Sequence, residues 1–168
     1  MMVPSVGNAV FTWCRRPNLE PDEIFERMLD EFMNHPDDEF RHRLFKIIPG
    51  VPEGSFIAKK AVGNKPAMLC AKVPTTYHRG DNWFEVCVDC AQSRVAFSVM
   101  GAIKGFASGL TLQLGFLLES TTPETLPERL LGGVTVVKWV SSFFLFVSKS
   151  VLMCNTNTMP FFTTAGLK

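Results

Sequence analysis

The sequence predicts an α+β fold, in which an antiparallel meander sheet is packed by one long apolar helix and flanked by short helices. Three observations lead to this class. Residues 83–89 (WFEVCVD) alternate apolar and polar side chains, as a half-buried strand does. Residues 63–66 (GNKP) and 79–82 (RGDN) are turn signals between short extended stretches. From Val95 to Leu118, apolar residues recur at steps of three and four, the spacing of a helix face.

Two short helices are predicted ahead of the sheet. The first begins at Pro21 and carries an apolar stripe through Met33, opposite a largely acidic face. Such a helix could dock on a membrane or a partner, but anionic lipid would repel its acidic face, which favours packing on the domain. The second covers residues 37–45, is capped by Asp37, and is expected to leave His42 in solvent.

The predicted sheet lies between residues 47 and 88. Because short turns separate consecutive strands, we expect neighbours in sequence to pair as a meander. Against this sheet the long apolar helix would lie as a second layer. The candidate strands are residues 55–62, 67–72, 75–78 and 82–89.

The long apolar helix carries three glycines four residues apart, at Gly101, Gly105 and Gly109. In a bilayer this spacing forms a helix-pairing face, whereas in a water-soluble protein it lets a helix lie close to a sheet. Lys104 would cost about 2.5–3.5 kcal/mol at a membrane centre. The sequence therefore favours the buried helix over the transmembrane one.

After this helix, a short helix capped by Thr122 is expected to end at Gly132-Gly133, and a strand to begin at Val134. The apolar stretch that follows has Lys138 and Lys149 eleven residues apart, too close to span a bilayer without a charge inside it. This stretch is either an interfacial or weakly packed tail, or sequence outside any evolved domain, such as follows a misread exon boundary. The expected division is an irregular segment at 1–19, a domain at 20–137 and an apolar tail at 138–168.

The composition limits the classes of function. A length of 168 residues suits one domain, and a net charge of +1 argues against a broad nucleic-acid-binding face. The five cysteines are odd in number and scattered, which favours a reducing compartment. No signal peptide is recognised at the start of the chain. We therefore expect a cytoplasmic protein, at the periphery of membranes or free of them, that is not secreted.

The sequence offers few candidates for catalysis or metal binding. Cys87 and Cys90 have the spacing of half a zinc or redox motif, but no second pair follows and strand residues three apart point to opposite faces. Glu85 and Asp89 share a strand face, which solvent exposure explains, and His78 has no nucleophile beside it in the sequence. Phosphate-loop, nucleophile-elbow and dinucleotide motifs are missing. We expect no enzyme, no metal and no cofactor.

Several blocks of the sequence occur in a family-specific order. They are EFRHRLFKIIPGVPEGSFIAKKAVGNKPAMLCAK, YHRGDNWFEVCVDCAQSRVAFSVMGAIKGF and TLPERLLG. These blocks, within residues 39–134, resemble the C-terminal domain of the enhanced-disease-resistance-two family of plant and protist proteins. The chain departs from the family pattern at Cys87, where an acidic residue is usual, at Phe97, where an arginine is usual, and after Val134. The family domain begins with a longer strand-rich portion, so the resemblance implies a partial domain at residues 20–137.

In larger members of the family, this domain follows a membrane-targeting pleckstrin-homology module and a START-type lipid-transfer module. The resemblance therefore implies a non-enzymatic module that binds lipid or another apolar ligand. A sheet closed by an apolar helix could enclose such a ligand. The candidate residues for the apolar part are Val99, Ile103, Phe106 and Leu110. For a lipid head group they are, on charge alone, Lys59, Lys60 and Arg79.

Three other interpretations stay open. The four apolar residues could simply form the core. The chain could be a protein-interaction scaffold in stress or defence signalling, without a ligand. It could also be a small membrane-associated protein that uses both of its apolar segments. The partners expected from the sequence are a lipid or a membrane surface, and not nucleic acid.

Overall fold

A computed structural model describes residues 10–14, 22–138 and 150–154 of the chain. Within these residues there are two four-stranded sheets and four α-helices. The helices are α1 (Glu23–Asn34), α2 (Asp38–Leu44), α3 (Phe56–Val62) and α4 (Arg94–Phe106). The strands are β1 (Val10–Cys14), β2 (Phe45–Glu53), β3 (Ala67–Met68), β4 (Thr75–Arg79), β5 (Trp83–Val88), β6 (Thr111–Leu118), β7 (Leu130–Val137) and β8 (Ser150–Cys154).

The predicted α+β class is confirmed, but the strands form two sheets rather than one. The first sheet has the order β1-β8-β5-β4, and the second has the order β3-β2-β6-β7. Strands β1 and β8 run parallel, and every other described pair is antiparallel. Consecutive strands pair, as in a meander, in β2–β3, β4–β5 and β6–β7, although α3 separates β2 from β3. Strand β2 also pairs with β6, which is far from it in sequence.

The single long helix predicted from Val95 to Leu118 is wrong in its second half. Helix α4 ends at Phe106, a 3-10 turn covers Ala107–Gly109, and β6 follows as a central strand of the second sheet. Gly105 and Gly109 weaken a helix at this point. Because β6 is buried along most of its length, its apolar residues run together and mimic a helix face.

The predicted close packing of another backbone on the glycine stripe is also wrong. A side chain built at Gly101, Gly105 or Gly109 would meet no atom within 4 Å in the described structure. Gly132, by contrast, has no room for a side chain. A Cβ there would lie 2.3 Å from Cε2 of Trp13, whose indole packs across this glycine. Gly132 and Gly133 lie inside β7, so the prediction that they end a helix is wrong. The strand predicted from Val134 is the second half of β7.

The predicted strand at residues 55–62 is wrong, because these residues form α3. The Ser55 side chain caps this helix by accepting the N–H of Ala58 at 3.2 Å, and Gly63 ends it with a φ of 73°. The predicted strand at 67–72 is reduced to the two residues of β3. The predicted strands β4 and β5 are confirmed.

The predicted N-terminal helices are confirmed as α1 and α2. Asp22 caps α1 by accepting the N–H of Phe25 at 3.1 Å, and Asp37 caps α2 by accepting that of Glu39 at 3.0 Å. The predicted first residue, Pro21, lies outside the described residues. The apolar stripe of α1 packs on the domain, because Phe32 is fully buried in the core.

The core consists of two clusters. The main core lies where α1 and α2 meet strands of both sheets, and it contains Phe32, Leu44, Phe45, Val73, Phe84, Val86, Val88, Phe116 and Leu118. The helix-side core lies between α3, α4 and β6, and it contains Ala58, Ile103, Leu110 and Leu112. Of the predicted tail, 139–149 and 155–168 lie outside the described residues, while 150–154 form β8 between β1 and β5. None of the helices described is long and apolar enough to cross a bilayer.

Candidate functional site

The four apolar residues predicted to bind a ligand come together in the helix-side core. Ile103 and Leu110 are buried there, and Val99 and Phe106 are half-buried against them. Leu110 comes from the turn before β6 rather than from the helix. The remaining space is about 10 Å³, which holds no more than one water molecule. In this structure these four side chains therefore pack as core and enclose no room for a lipid chain.

The three basic residues predicted to bind a head group do not come together. Lys59 and Lys60 are exposed on α3, which packs beside the second sheet. Arg79 ends β4 at the edge of the first sheet, where its Nη1 donates to Oδ1 of Asn34 at 3.0 Å. Each of these two places is a separate candidate site.

The first site is the outer surface of α3 and α4. Ala58 of α3 and Ile103 of α4 both point into the helix-side core, so the opposite sides of the two neighbouring helices face away from it. Four large apolar side chains of these helices are exposed: Phe56 (79%), Val95 (65%), Ile57 (64%) and Phe97 (52%). Sequence reasoning missed Phe56 and Ile57 because it treated this segment as a strand. The Ser55 cap was the signal that could have identified the helix.

Helices α3 and α4 are also basic. The sequences of α3 and α4 contain four basic residues and no acidic ones, and all four are exposed: Lys59, Lys60, Arg94 and Lys104. By contrast, α1 has Glu23 and Glu26 in its first turn and no basic residue in its last. We call the four exposed apolar residues and these four basic residues together the helical face.

The second site is a polar cleft of about 330 Å³ between the end of α1 and the β4–β5 hairpin. The residues that line it are Asn34, His35, Pro36, Asp38, Arg41, Tyr77, His78, Arg79 and Phe84. It contains Arg79, which the sequence identified, and Arg41, which it did not. We call this site the cleft.

Arg41 forms the inner wall of the cleft and is only 6% exposed. Its Nε donates to the Phe32 carbonyl at 2.8 Å, and its Nη2 donates to the Met33 carbonyl at 3.1 Å and to that of His35. These carbonyls end α1 and lack partners within the helix, so the guanidinium caps them. Its Nη1 lies 2.5 Å from an Asp38 oxygen. The guanidinium carbon also lies 5.3 Å from the centre of the Tyr77 ring.

Tyr77 connects the cleft to the main core. Its hydroxyl lies 3.2 Å from Sγ of Cys70, and burial raises the pKa of both groups, so both stay neutral. The His42 ring lies 5.6 Å from the Tyr77 ring and is half-buried, so the prediction that His42 lies in solvent is wrong. His42 faces inward because α2 packs against β4, the strand that carries Tyr77.

A partly buried ion cluster links β2, the end of β6 and the loop before β7 at one end of the second sheet. Nζ of Lys46 in β2 lies 2.5 Å from Oε1 of Glu128 and is also paired with Glu119. Burial alone would lower the pKa of Lys46, but the hydrogen bonds that its ammonium group donates to Glu119 and Glu128 outweigh it and raise that pKa. Burial would raise the pKa of Glu128, but Lys46 and the backbone N–H of Ser120 outweigh it and lower that pKa.

In the part of the chain that the structure describes, no three His, Cys, Asp or Glu residues are grouped so as to hold a metal ion. Cys87 lies in β5, and Cys90 begins the 3-10 turn that follows it. Burial raises the pKa of the Cys90 thiol, and the negative charge of Asp89 raises it further. This thiol therefore stays protonated at neutral pH.

Comparison with known proteins relates this architecture to one family. Residues 1–139 match the family model described as Protein ENHANCED DISEASE RESISTANCE 2, C-terminal. A relative from Arabidopsis thaliana, described as Protein ENHANCED DISEASE RESISTANCE 2-like, is 42% identical over 118 residues, which cover 70% of this chain and 16% of the relative. The chain thus matches about a sixth of that relative's length. No solved structure matches the chain. The resemblance seen in the sequence is confirmed, and the chain belongs to the ENHANCED DISEASE RESISTANCE 2 C-terminal family.

Proposed function

We propose that this chain is a non-enzymatic lipid-binding module that docks on anionic membrane surfaces through the helical face. One observation carries the proposal. Two adjacent helices carry four large exposed apolar side chains and four exposed basic residues, and neither helix contains an acidic residue. A peripheral protein that inserts apolar side chains between anionic head groups needs this combination of groups.

The apolar residues supply the insertion energy. Phe56 and Ile57 are adjacent at the start of α3, and both are more than half exposed. Removing such a side chain from water contributes about 1.5–3 kcal/mol when its burial is complete. Val95 and Phe97 at the start of α4 add to this.

The basic residues supply the preference for anionic lipid. Each Lys or Arg near an anionic surface contributes about 1 kcal/mol, and this attraction falls off within a Debye length. Lys59, Lys60, Arg94 and Lys104 would act together on the helical face. Because the chain as a whole has a net charge of only +1, the local charge of this face should matter more than the total.

The proposal puts the lipid at the surface rather than in a closed cavity. The space inside the helix-side core is about 10 Å³, far below the roughly 300 Å³ of the smaller ligand sites in proteins. Ile103 and Leu110 would then support the helices from beneath, while the residues in contact with lipid lie on the outer side. In a cell, such a module would work in the cytoplasm at membrane surfaces.

The test is co-sedimentation of the full chain with vesicles. Vesicles of phosphatidylcholine with phosphatidylserine should bind the protein, and vesicles of phosphatidylcholine alone should bind it much more weakly. The double variant F56D/F97D should lose this binding. The matched control is L126D/L130D, which places the same two charges at exposed apolar residues outside the helical face.

Two results would contradict the proposal. The folded protein could fail to bind phosphatidylserine vesicles at any accessible lipid concentration, which would leave a protein-interaction scaffold as the better account. Alternatively, L126D/L130D could weaken binding as much as F56D/F97D does. In that case the apolar residues of α3 and α4 would have no special part.

A further inference from the structure

The cleft is a second feature with the properties of a ligand site, and the helical face does not use it. Its volume of about 330 Å³ falls in the range of roughly 300–1,000 Å³ in which small molecules bind. It lies at the edge of the first sheet, against the end of α1. The helices of the helical face contribute no residue to its lining.

The cleft carries a net positive charge. Two guanidinium groups line it, those of Arg41 and Arg79, and Asp38 is the one carboxylate among the lining residues. Asp38 is already bound to Nη1 of Arg41. Glu85 is the strand partner of His78 but does not line the cleft. An anion entering the cleft would therefore be attracted by one uncompensated positive charge.

Two lining side chains have donors to offer. Arg79 is exposed and carries five N–H groups, and in the described part of the chain one of them is used on Asn34. His35 is fixed by stacking on Phe40 at 3.9 Å between ring centres. Its Nδ1 lies 3.1 Å from the backbone N and 3.2 Å from the carbonyl oxygen of Asp37, and the first of these contacts fits a neutral ring that carries its proton on Nε2. A fork of guanidinium donors and an imidazole N–H suit the several oxygens of a phosphate group.

We infer that the cleft binds an organic phosphate monoester, held by Arg79 and His35 with the charge of Arg41 behind it. The cleft has more room than a phosphate group fills, so the organic part of the ligand lies inside it too. The Tyr77 ring forms an aromatic wall for this part. Asn34 holds the Arg79 guanidinium in place before the ligand arrives, which reduces the cost of ordering it on binding.

The experiment is a titration of the full chain with phenyl phosphate and with glycerol 3-phosphate, followed by NMR shifts of backbone amides. Saturable binding is expected, with shifts at residues that line the cleft. R79Q should weaken binding about tenfold, because it removes a charge-assisted hydrogen bond. The control is R43Q, which makes the same change at an exposed arginine outside the cleft and should leave binding unchanged.

The inference is overturned if neither phosphate binds saturably at millimolar concentration, or if R79Q and R43Q have equal effects. Vesicles that contain phosphatidic acid identify the source of the phosphate. If they compete with phenyl phosphate for the wild-type protein, the ligand is a lipid head group, and if they do not, it is a free phosphate ester. The F56D/F97D variant separates this site from the proposed membrane surface, because it should bind phenyl phosphate normally whether or not the membrane proposal holds.

Discussion

Nζ of Lys46 lies 2.5 Å from Oε1 of Glu128, a residue 82 positions later in the chain. The side chains are 11% and 25% exposed, and Glu119 is a second partner of the same ammonium group. Glu128 also accepts the backbone N–H of Ser120 at 3.1 Å. This cluster therefore ties β2 to the end of β6 and to the loop that leads into β7.

Loss of the Glu128 charge should destabilise the protein. In E128Q, the buried Lys46 keeps a single carboxylate partner, and breaking a buried pair costs up to about 3–5 kcal/mol. Because Glu119 remains and Glu128 is partly exposed, we expect a decrease of about 1–3 kcal/mol in the free energy of unfolding. Urea denaturation measures it. E31Q, at an exposed position in α1, should stay within about 0.5 kcal/mol of the wild type, and an equal loss in both variants would disprove the role of the cluster.

The same cluster predicts how stability depends on pH. The folded protein lowers the pKa of Glu128 below its ordinary 4.5, so this contribution is present above about pH 4.5 and is lost as the pH falls through the folded pKa. The pKa of Lys46 is raised above its ordinary 10.5, so its contribution is lost only as the pH rises beyond that value. Urea midpoints measured from pH 6 downward should fall less steeply for E128Q than for the wild type. Parallel curves would refute this assignment.

Two glycines should respond to alanine in opposite ways. In G132A, the new methyl group would collide with the Trp13 indole, and overpacking of this kind costs about 1–3 kcal/mol. In G101A, the methyl group meets open space in the middle of α4, and a helical Gly→Ala change should stabilise by about 0.5–1 kcal/mol. Thermal unfolding of both variants provides the measurement. A destabilised G101A would mean that another surface packs on the glycine stripe after all.

The charge of the helical face gives a separate prediction. K59E/K60E should weaken binding to phosphatidylserine vesicles by at least about 2 kcal/mol, or roughly 30-fold, since two attractive charges become repulsive. R43E/K72E changes the net charge equally at exposed residues outside α3 and α4 and should have a much smaller effect. Circular dichroism checks that both variants are folded. If the two variants lose binding to the same extent, only the net charge of the chain matters.

Local chemistry made much of the fold predictable. The caps at Asp22 and Asp37 and the turn at residues 79–82 are decided by side chains next to the backbone groups that they satisfy. The alternation of β5 shows directly in its burial, with Phe84, Val86 and Val88 buried. Where a neighbouring residue decides the conformation, the sequence contains the signal, as the overlooked Ser55 cap of α3 also shows.

Features that depend on distant residues could not be predicted in this way. The border between α4 and β6 is hidden because both elements are apolar, and β6 becomes a strand by pairing with β2 and β7. The role of Arg41 depends on carbonyls eight and nine residues earlier in the chain. The candidate site shows the same limit. The sequence predicted correctly that the four apolar residues lie together, but only their packing in the structure shows that they leave no cavity for a ligand.

The most direct test of the account is hydrogen–deuterium exchange of the full chain, with and without phosphatidylserine vesicles. If the helical face docks on the membrane, amides in residues 55–63 and 94–106 should exchange more slowly with vesicles present. Amides in α1, a helix with acidic residues in its first turn and no basic residue in its last, should be unchanged. Protection confined to α1, or no protection of α3 and α4 when the protein is vesicle-bound, would contradict the proposed mode of membrane binding.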